Sequence, residues 1–191
     1  ADTPIPCREN AHADSMLSPY AASKKAAENL CYTYHHLHGL DITVARYFTV
    51  YGAAGRPDMS VFRFIQWIAE ERLVTVFGDG EYSRDFTYVD DIARGTIAAL
   101  KPVGFEVVNL GSDKPYTVNQ LISILEDLLD KKGTIDNCCA LLSDVPRTWA
   151  NIEKAKTLFG WKPETTLRQG LTKAVRWYLE NREWAKDVVT E

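Results

Sequence analysis

The arrangement that most restricts the fold is a helix that runs straight into an apolar, β-rich segment. Ser18 supplies an N-cap oxygen, and Pro19 suits the first helical position. Gly39 offers a left-handed residue to stop that helix near His38. Directly after Asp41 comes Ile42-Thr-Val-Ala-Arg-Tyr-Phe48. Entered from a helix, such a run predicts a parallel strand buried on both faces.

The same alternation continues. A helix is expected over residues 60–72, a strand over 74–77, and a turn at Gly78-Asp79-Gly80. Residues 84–89 read as extended, and Asp90 or Asp91 is expected to cap a helix to Leu100. Phe105 to Leu110 reads as a strand ending at Gly111. Thr117 with Gln120, and Thr166 with Gln169, are capping boxes. They open helices to about Asp130 and about Trp184. Between them lie a weakly extended stretch over 134–142 and a short helix over 151–159, closed by Gly160. Strands alternating with helices give the α/β class.

The chain has 191 residues, enough for a substantial core. Its net charge of −4 supplies no basic field for nucleic acid. No apolar stretch is long enough to span a bilayer, and no signal-like leader stands at the start, so no membrane partner is expected. Cys7, Cys31, Cys138 and Cys139 form no CxxC pair, which fits a reduced, cytoplasmic setting. No metal site is expected: His35 and His38 lie near a helix end, where the macrodipole favours His without a metal.

The chemistry concentrates in Tyr20 and Lys24. Residues four apart share one helical face. A free Tyr has a pKa of about 10, so its phenolate is scarce at neutral pH. A nearby ammonium, or an oxidised nicotinamide ring, stabilises the phenolate. Such a phenolate can take a proton from a sugar hydroxyl while the carbon beneath it gives up hydride to a cofactor.

Ser18-Pro-Tyr20-Ala-Ala-Ser-Lys24-Lys-Ala-Ala-Glu28 resembles the catalytic helix of the extended short-chain dehydrogenase/reductases, specifically the nucleotide-sugar epimerases and dehydratases. Arg46-Tyr-Phe-Thr-Val-Tyr-Gly52 resembles the strand and loop after it. Arg84-Asp-Phe-Thr-Tyr-Val-Asp-Asp91, Asn109-Leu-Gly111 and Asp144-Val-Pro-Arg-Thr-Trp-Ala150 resemble further signatures in the same order. Within that family, Phe48-Thr-Val-Tyr-Gly52 followed by Gly55-Arg-Pro-Asp-Met59 is similar to the UDP-glucuronate 4-epimerases. Many UDP-galactose epimerases carry Asn where Thr49 stands.

The resemblance implies roles. Tyr20 would be the acid/base, and Lys24 would bind the nicotinamide ribose of NAD and lower the Tyr pKa. The backbone from Tyr47 to Val50 would face nicotinamide and sugar. Thr49 and Arg56 would hold the hexuronic acid of a UDP-sugar. Arg63, Arg84, Asp144 and Arg147 would hold the UDP, since the planar Arg fork suits a diphosphate. Residues 1–50 and 85–112 would be the remnant of the dinucleotide-binding domain. Residues 51–84 and 113–191 would mainly bind the nucleotide-sugar. The implied reaction is transient oxidation at C4. A decarboxylase or dehydratase of the same family is the alternative, and a non-catalytic nucleotide-sugar-binding module a third reading.

The family's Gly-rich phosphate turn is absent, as is the Ser/Thr that completes the catalytic set; Ser15 and Ser18 are not assigned to that role. Ala54 and Asn151 also stand where the family often has other residues. The expected fold is therefore an incomplete Rossmann-like parallel sheet, its N-terminal half missing, with a small α/β substrate-binding subdomain. An open edge and an uncovered face would favour self-association, as would a homodimer through the catalytic helix. This 191-residue chain alone is expected to bind NAD poorly and to turn over nothing measurable. Detectable epimerase activity from it overturns that expectation.

Overall fold

A computed structural model describes residues 5–11, 16–140 and 144–190. Helix α1 (Pro19–His38) begins where the Ser18 side chain accepts the Ala21 N–H, and it ends at Gly39, whose φ is 63°. Strand β1 (Ile42–Tyr47) follows at once and pairs in parallel with β5 (Phe105–Leu110). Strand β2 (Thr49–Tyr51) pairs in parallel with β4 (Ser83–Tyr88), which also pairs antiparallel with β6 (Pro115–Thr117). Strand β3 (Leu73–Phe77) runs parallel to β7 (Thr134–Cys138). Helices α2 (Ser60–Ala69), α3 (Val89–Ala98) and α4 (Val118–Leu129) lie between these strands in the chain. Helices α5 (Glu153–Phe159), α6 (Leu167–Glu180) and α7 (Arg182–Ala185) complete it. This is the parallel, Rossmann-like α/β class that the sequence predicts.

Two cores form. The larger joins Phe62, Ile65 and Ile68 of α2 to Leu121 and Leu125 of α4 and to Leu171 and Tyr178 of α6. The smaller joins Val108 and Leu110 of β5 to Ile92 of α3 and to Ala150, Ile152 and Trp161. Phe48 and Val50 pack against that smaller core, at the junction where β1 gives way to β2.

Both capping boxes form as expected. Other expectations need correction. Strand β1 is half-buried rather than buried on both faces: among the described residues its one strand neighbour is β5, and α1, which packs against it, has no buried residue. Neither Asp90 nor Asp91 caps α3. Asp91 is fully buried and instead accepts the N–H groups of Glu164 and Thr165, tying α3 to the segment before α6. The last helix breaks at Asn181, whose side chain donates to the Trp177 carbonyl. Strand β6 was unexpected because a three-residue element carries no periodicity. The end of the expected 134–142 stretch, and Ser15, lie outside the described residues.

A single carboxylate joins the pieces around β4. Asp85 is fully buried. It accepts the N–H groups of Ser112 at 2.5 Å, Asp113 at 3.2 Å and Ala150 at 2.9 Å, and the Thr87 hydroxyl at 3.2 Å. Burial pushes its pKa up, and these donors pull it back. Gly111 is required beside it, because a Cβ there would overlap Ala150 and lie 3.0 Å from the Asp85 carboxylate. Helix α1 is held by a second ionic contact: Arg46 of β1 donates to both Glu28 oxygens, at 2.6 and 2.7 Å.

Two outcomes follow from these contacts. Asp85→Ala strands three N–H donors, that of Ala150 fully buried, and is expected to cost about 3 kcal/mol, read as a lowered urea midpoint. The Arg46 guanidinium holds the Glu28 carboxyl below its ordinary 4.5. That pairing therefore contributes fully above pH 4.5 and is lost as pH falls through the depressed value. A carbon-13 carboxyl titration is expected to place Glu28 below 4.5, and Arg46→Gln to bring it back up.

Candidate functional site

Helix α1 presents Tyr20 and Lys24 on one exposed face. Tyr20 is 72% exposed, and the Lys24 ammonium sits 5.4 Å from its ring centroid. Pro19 at the first helical position and the Ser18 cap fix the turn that carries them. Among the described residues Lys24 forms no ion pair, whereas its neighbour Lys25 pairs with Glu28. The loop after β2 lies close by. Arg56 there is paired with Asp58, which raises the Arg56 pKa, and the Tyr20 phenol adds a smaller Coulombic contribution.

Thr49 is the meeting point of three hollows. The first, of about 480 Å³, is bounded by Arg8, Arg46, Tyr47, Phe48 and Asn109. The second, of about 420 Å³, runs between β4 and the start of α2 and is bounded by Arg63, Tyr82, Arg84, Phe86 and Asp144. The third is small and is bounded by Val50, Gly52, Gly55 and Arg56. Thr49 can occupy this junction because the chain ends β1 at Tyr47 and restarts as β2, paired to a different neighbour. Phe48 bridges that switch by donating its N–H to the Leu110 carbonyl at 3.1 Å.

The arginines are held differently. Arg63 lies over the Trp67 ring at 4.5 Å, and its Nε is buried without a hydrogen-bond partner. Arg84 pairs with Asp144 and donates to the Ser83 carbonyl at 2.8 Å. Arg147 is exposed, stacks on Trp149 at 5.4 Å, and stands outside the residues bounding the second hollow. Ser83 nevertheless bridges to Arg147, which keeps that segment beside β4.

The structure thus brings Thr49, Arg63, Arg84 and Asp144 into one cleft and Val50 and Arg56 into the hollow beside it. It sets Tyr20 and Lys24 on α1, outside the residues that bound these hollows. Tyr47 bounds the first hollow, and its hydroxyl meets Thr96 at 3.0 Å. Met59, which bounds all three hollows, was missed from sequence, as were Tyr82 and Asn109. Two of them carried a signal: Asn109 in its place before Leu110-Gly111, and Met59 at the end of the Gly55-Arg-Pro-Asp-Met59 segment. The Asn109 side chain donates to the carbonyls of Cys7 and Asn151, closing the floor of the first hollow. Among the described residues no group of three or more metal-ligating side chains occurs.

A profile described as the NAD dependent epimerase/dehydratase family matches residues 1–111. The chain is 57% identical to a UDP-glucuronate 4-epimerase of Thermodesulfobacterium geofontis, over 96% of this chain and 57% of that protein. It is 43% identical to UDP-glucuronate 4-epimerase 2 of Arabidopsis thaliana, over 93% of this chain and 45% of the relative. The chain therefore spans about half the length of the curated relatives it matches. Among solved structures it is similar to the UDP-glucuronic acid 4-epimerase of Bacillus cereus in complex with UDP-glucuronic acid and NAD. That likeness has a TM-score of 0.84 and 37% identity, over 91% of this chain and 58% of the other. An epimerase of Methanothermobacter thermautotrophicus superposes with a TM-score of 0.92 at 29% identity, over 97% of this chain and 57% of the other.

Proposed function

The chain belongs to the NAD-dependent epimerase/dehydratase family, and on that premise we propose that it carries the Tyr/Lys pair and the substrate side of a UDP-glucuronate 4-epimerase. The observation that supports this best is the place of Thr49. A sugar resting there has Arg63 and Arg84 along one hollow for a diphosphate and Arg56 along another for a carboxylate. Asp144 and Arg147 flank the nucleoside end. The division into a dinucleotide side, residues 1–50 and 85–112, and a substrate side, residues 51–84 and 113–191, belongs to the same proposal.

When bound, NAD supplies a reversible hydride acceptor at C4 of the sugar. Lys24, Tyr20 and the backbone of Tyr47 and Val50 are the residues of this chain that would hold it. Tyr20 takes the C4 hydroxyl proton as the carbon is oxidised, and returns it after the flat 4-keto sugar has turned over. No net oxidant is consumed. The intermediate is a β-keto acid, prone to lose carbon dioxide. Thr49 and Arg56 hold its carboxylate, which opposes that loss.

A homodimer through α1 is part of the proposal. Leu30, Tyr34 and Leu37 are exposed at i, i+4 and i+7 on that helix, an apolar stripe suited to a second copy. The proposed setting is cytoplasmic. The four cysteines are free, in keeping with a reduced compartment, and no described helix is long and apolar enough to cross a membrane.

The test is product analysis. The complete product of the gene, given UDP-glucuronate and NAD, is expected to form UDP-galacturonate; a pentose or a 4-keto-6-deoxy sugar as main product overturns the assignment. Tyr20→Phe is expected to lower kcat by about 10²–10⁴-fold. Arg56→Ala is expected to raise the share of pentose side product, measured by mass spectrometry of the nucleotide-sugars.

A further inference from the structure

Helix α2 delivers Arg63 to the second hollow, yet its own start is weakly fixed. Met59 at its N-cap makes no side-chain cap bond. The helix is gripped instead at its other end, by the segment after α7. Gln66 is fully buried and donates to the carbonyls of Ala185 at 2.9 Å and Val188 at 2.8 Å. Arg72 donates to the Lys186 carbonyl at 2.7 Å. Thr190 is buried to 4% exposure, and its hydroxyl is used twice. It accepts the Trp67 indole N–H at 3.1 Å and donates to the Gln66 side-chain carbonyl at 2.7 Å.

Trp67 therefore has its ring fixed at the polar edge by Thr190 and offers its face to the Arg63 guanidinium, 4.5 Å away. An indole N–H has no role but donation, so its partner determines how the ring is turned. A guanidinium over an indole face is attracted to it and loses freedom on that side. Among the described residues the Arg63 side chain makes no hydrogen bond, and its Nε is buried without a partner. The Asp58 carboxylate attracts it through space, while the Trp67 ring is the surface it rests on.

We infer that Thr190 and Trp67 are positioning residues for anion binding: the segment 186–190 sets the Trp67 ring, and the ring holds Arg63 toward the phosphates of the ligand. The inference rests on the reading of the second hollow as a diphosphate site. It adds that the strength of that site is set from a hydroxyl far along the chain.

The test uses Thr190→Val, which keeps shape and removes the hydroxyl, with Thr190→Ser as the conservative variant. The first readout needs no ligand. The Arg63 Nε–Hε resonance, identified by its loss in Arg63→Ala, lies over an aromatic face and is expected to shift in Thr190→Val and to return in Thr190→Ser. The second is calorimetry with UDP and with uridine. Thr190→Val is expected to weaken UDP roughly fivefold, the scale of one modest hydrogen bond, and to leave uridine unchanged. An unmoved Arg63 resonance in Thr190→Val overturns the inference whatever UDP does. So does equal loss of UDP and uridine, which marks a merely structural role. Failure of the unaltered chain to bind UDP, with the Arg63 resonance shifting as expected, overturns the diphosphate reading and leaves the Thr190–Trp67–Arg63 linkage standing.

Discussion

The buried carboxylate of Asp85 is the contact on which the substrate side depends. It gathers N–H groups from the turn after β5 and from the segment before α5, places far apart in sequence. A carboxylate buried without donors would cost several kcal/mol and stay protonated; one with several N–H partners becomes a fixed joint. The pleat of β4 then does the rest. Alternate residues point to opposite sides, so seating Asp85 inward aims Arg84 outward to the cleft. The joint also explains Gly111, which leaves room for Ala150 and the carboxylate to approach.

The face proposed for catalysis is built on a different principle. Helix α1 has no fully buried residue, and its polar link to β1 is the Glu28–Arg46 pair. A helix so lightly seated keeps Tyr20 and Lys24 exposed. It also leaves an apolar stripe that larger assemblies can cover. The contrast with α2, buried over most of its length, is sharp: one helix is open to solvent, the other a beam in the core.

What could be read from the sequence was local. Ser18, Gly39, Thr117 with Gln120, and Thr166 with Gln169 each act within one turn, so their helices were found to within a residue or two at the capped end. That Tyr20 and Lys24 lie side by side was legible for the same reason, since residues four apart share a helical face. Asp91 was misassigned because an acidic residue at a helix start looks like a cap, whereas its partners, Glu164 and Thr165, lie on a distant segment. Thr190 was invisible for a like reason: nothing near it hints at a bond to Trp67. Strand β2 was not foreseen: the expected strand ended at Phe48, and a three-residue strand with a new neighbour leaves no mark on residue type.

The pairing of Arg84 with Asp144 and of Arg56 with Asp58 bears on how a ligand arrives. Those two cations are already matched by carboxylates, which damps the field they project. At the proposed site a ligand anion would therefore exchange with a carboxylate at close range, and the part of its capture that rests on these two arginines would depend only weakly on ionic strength.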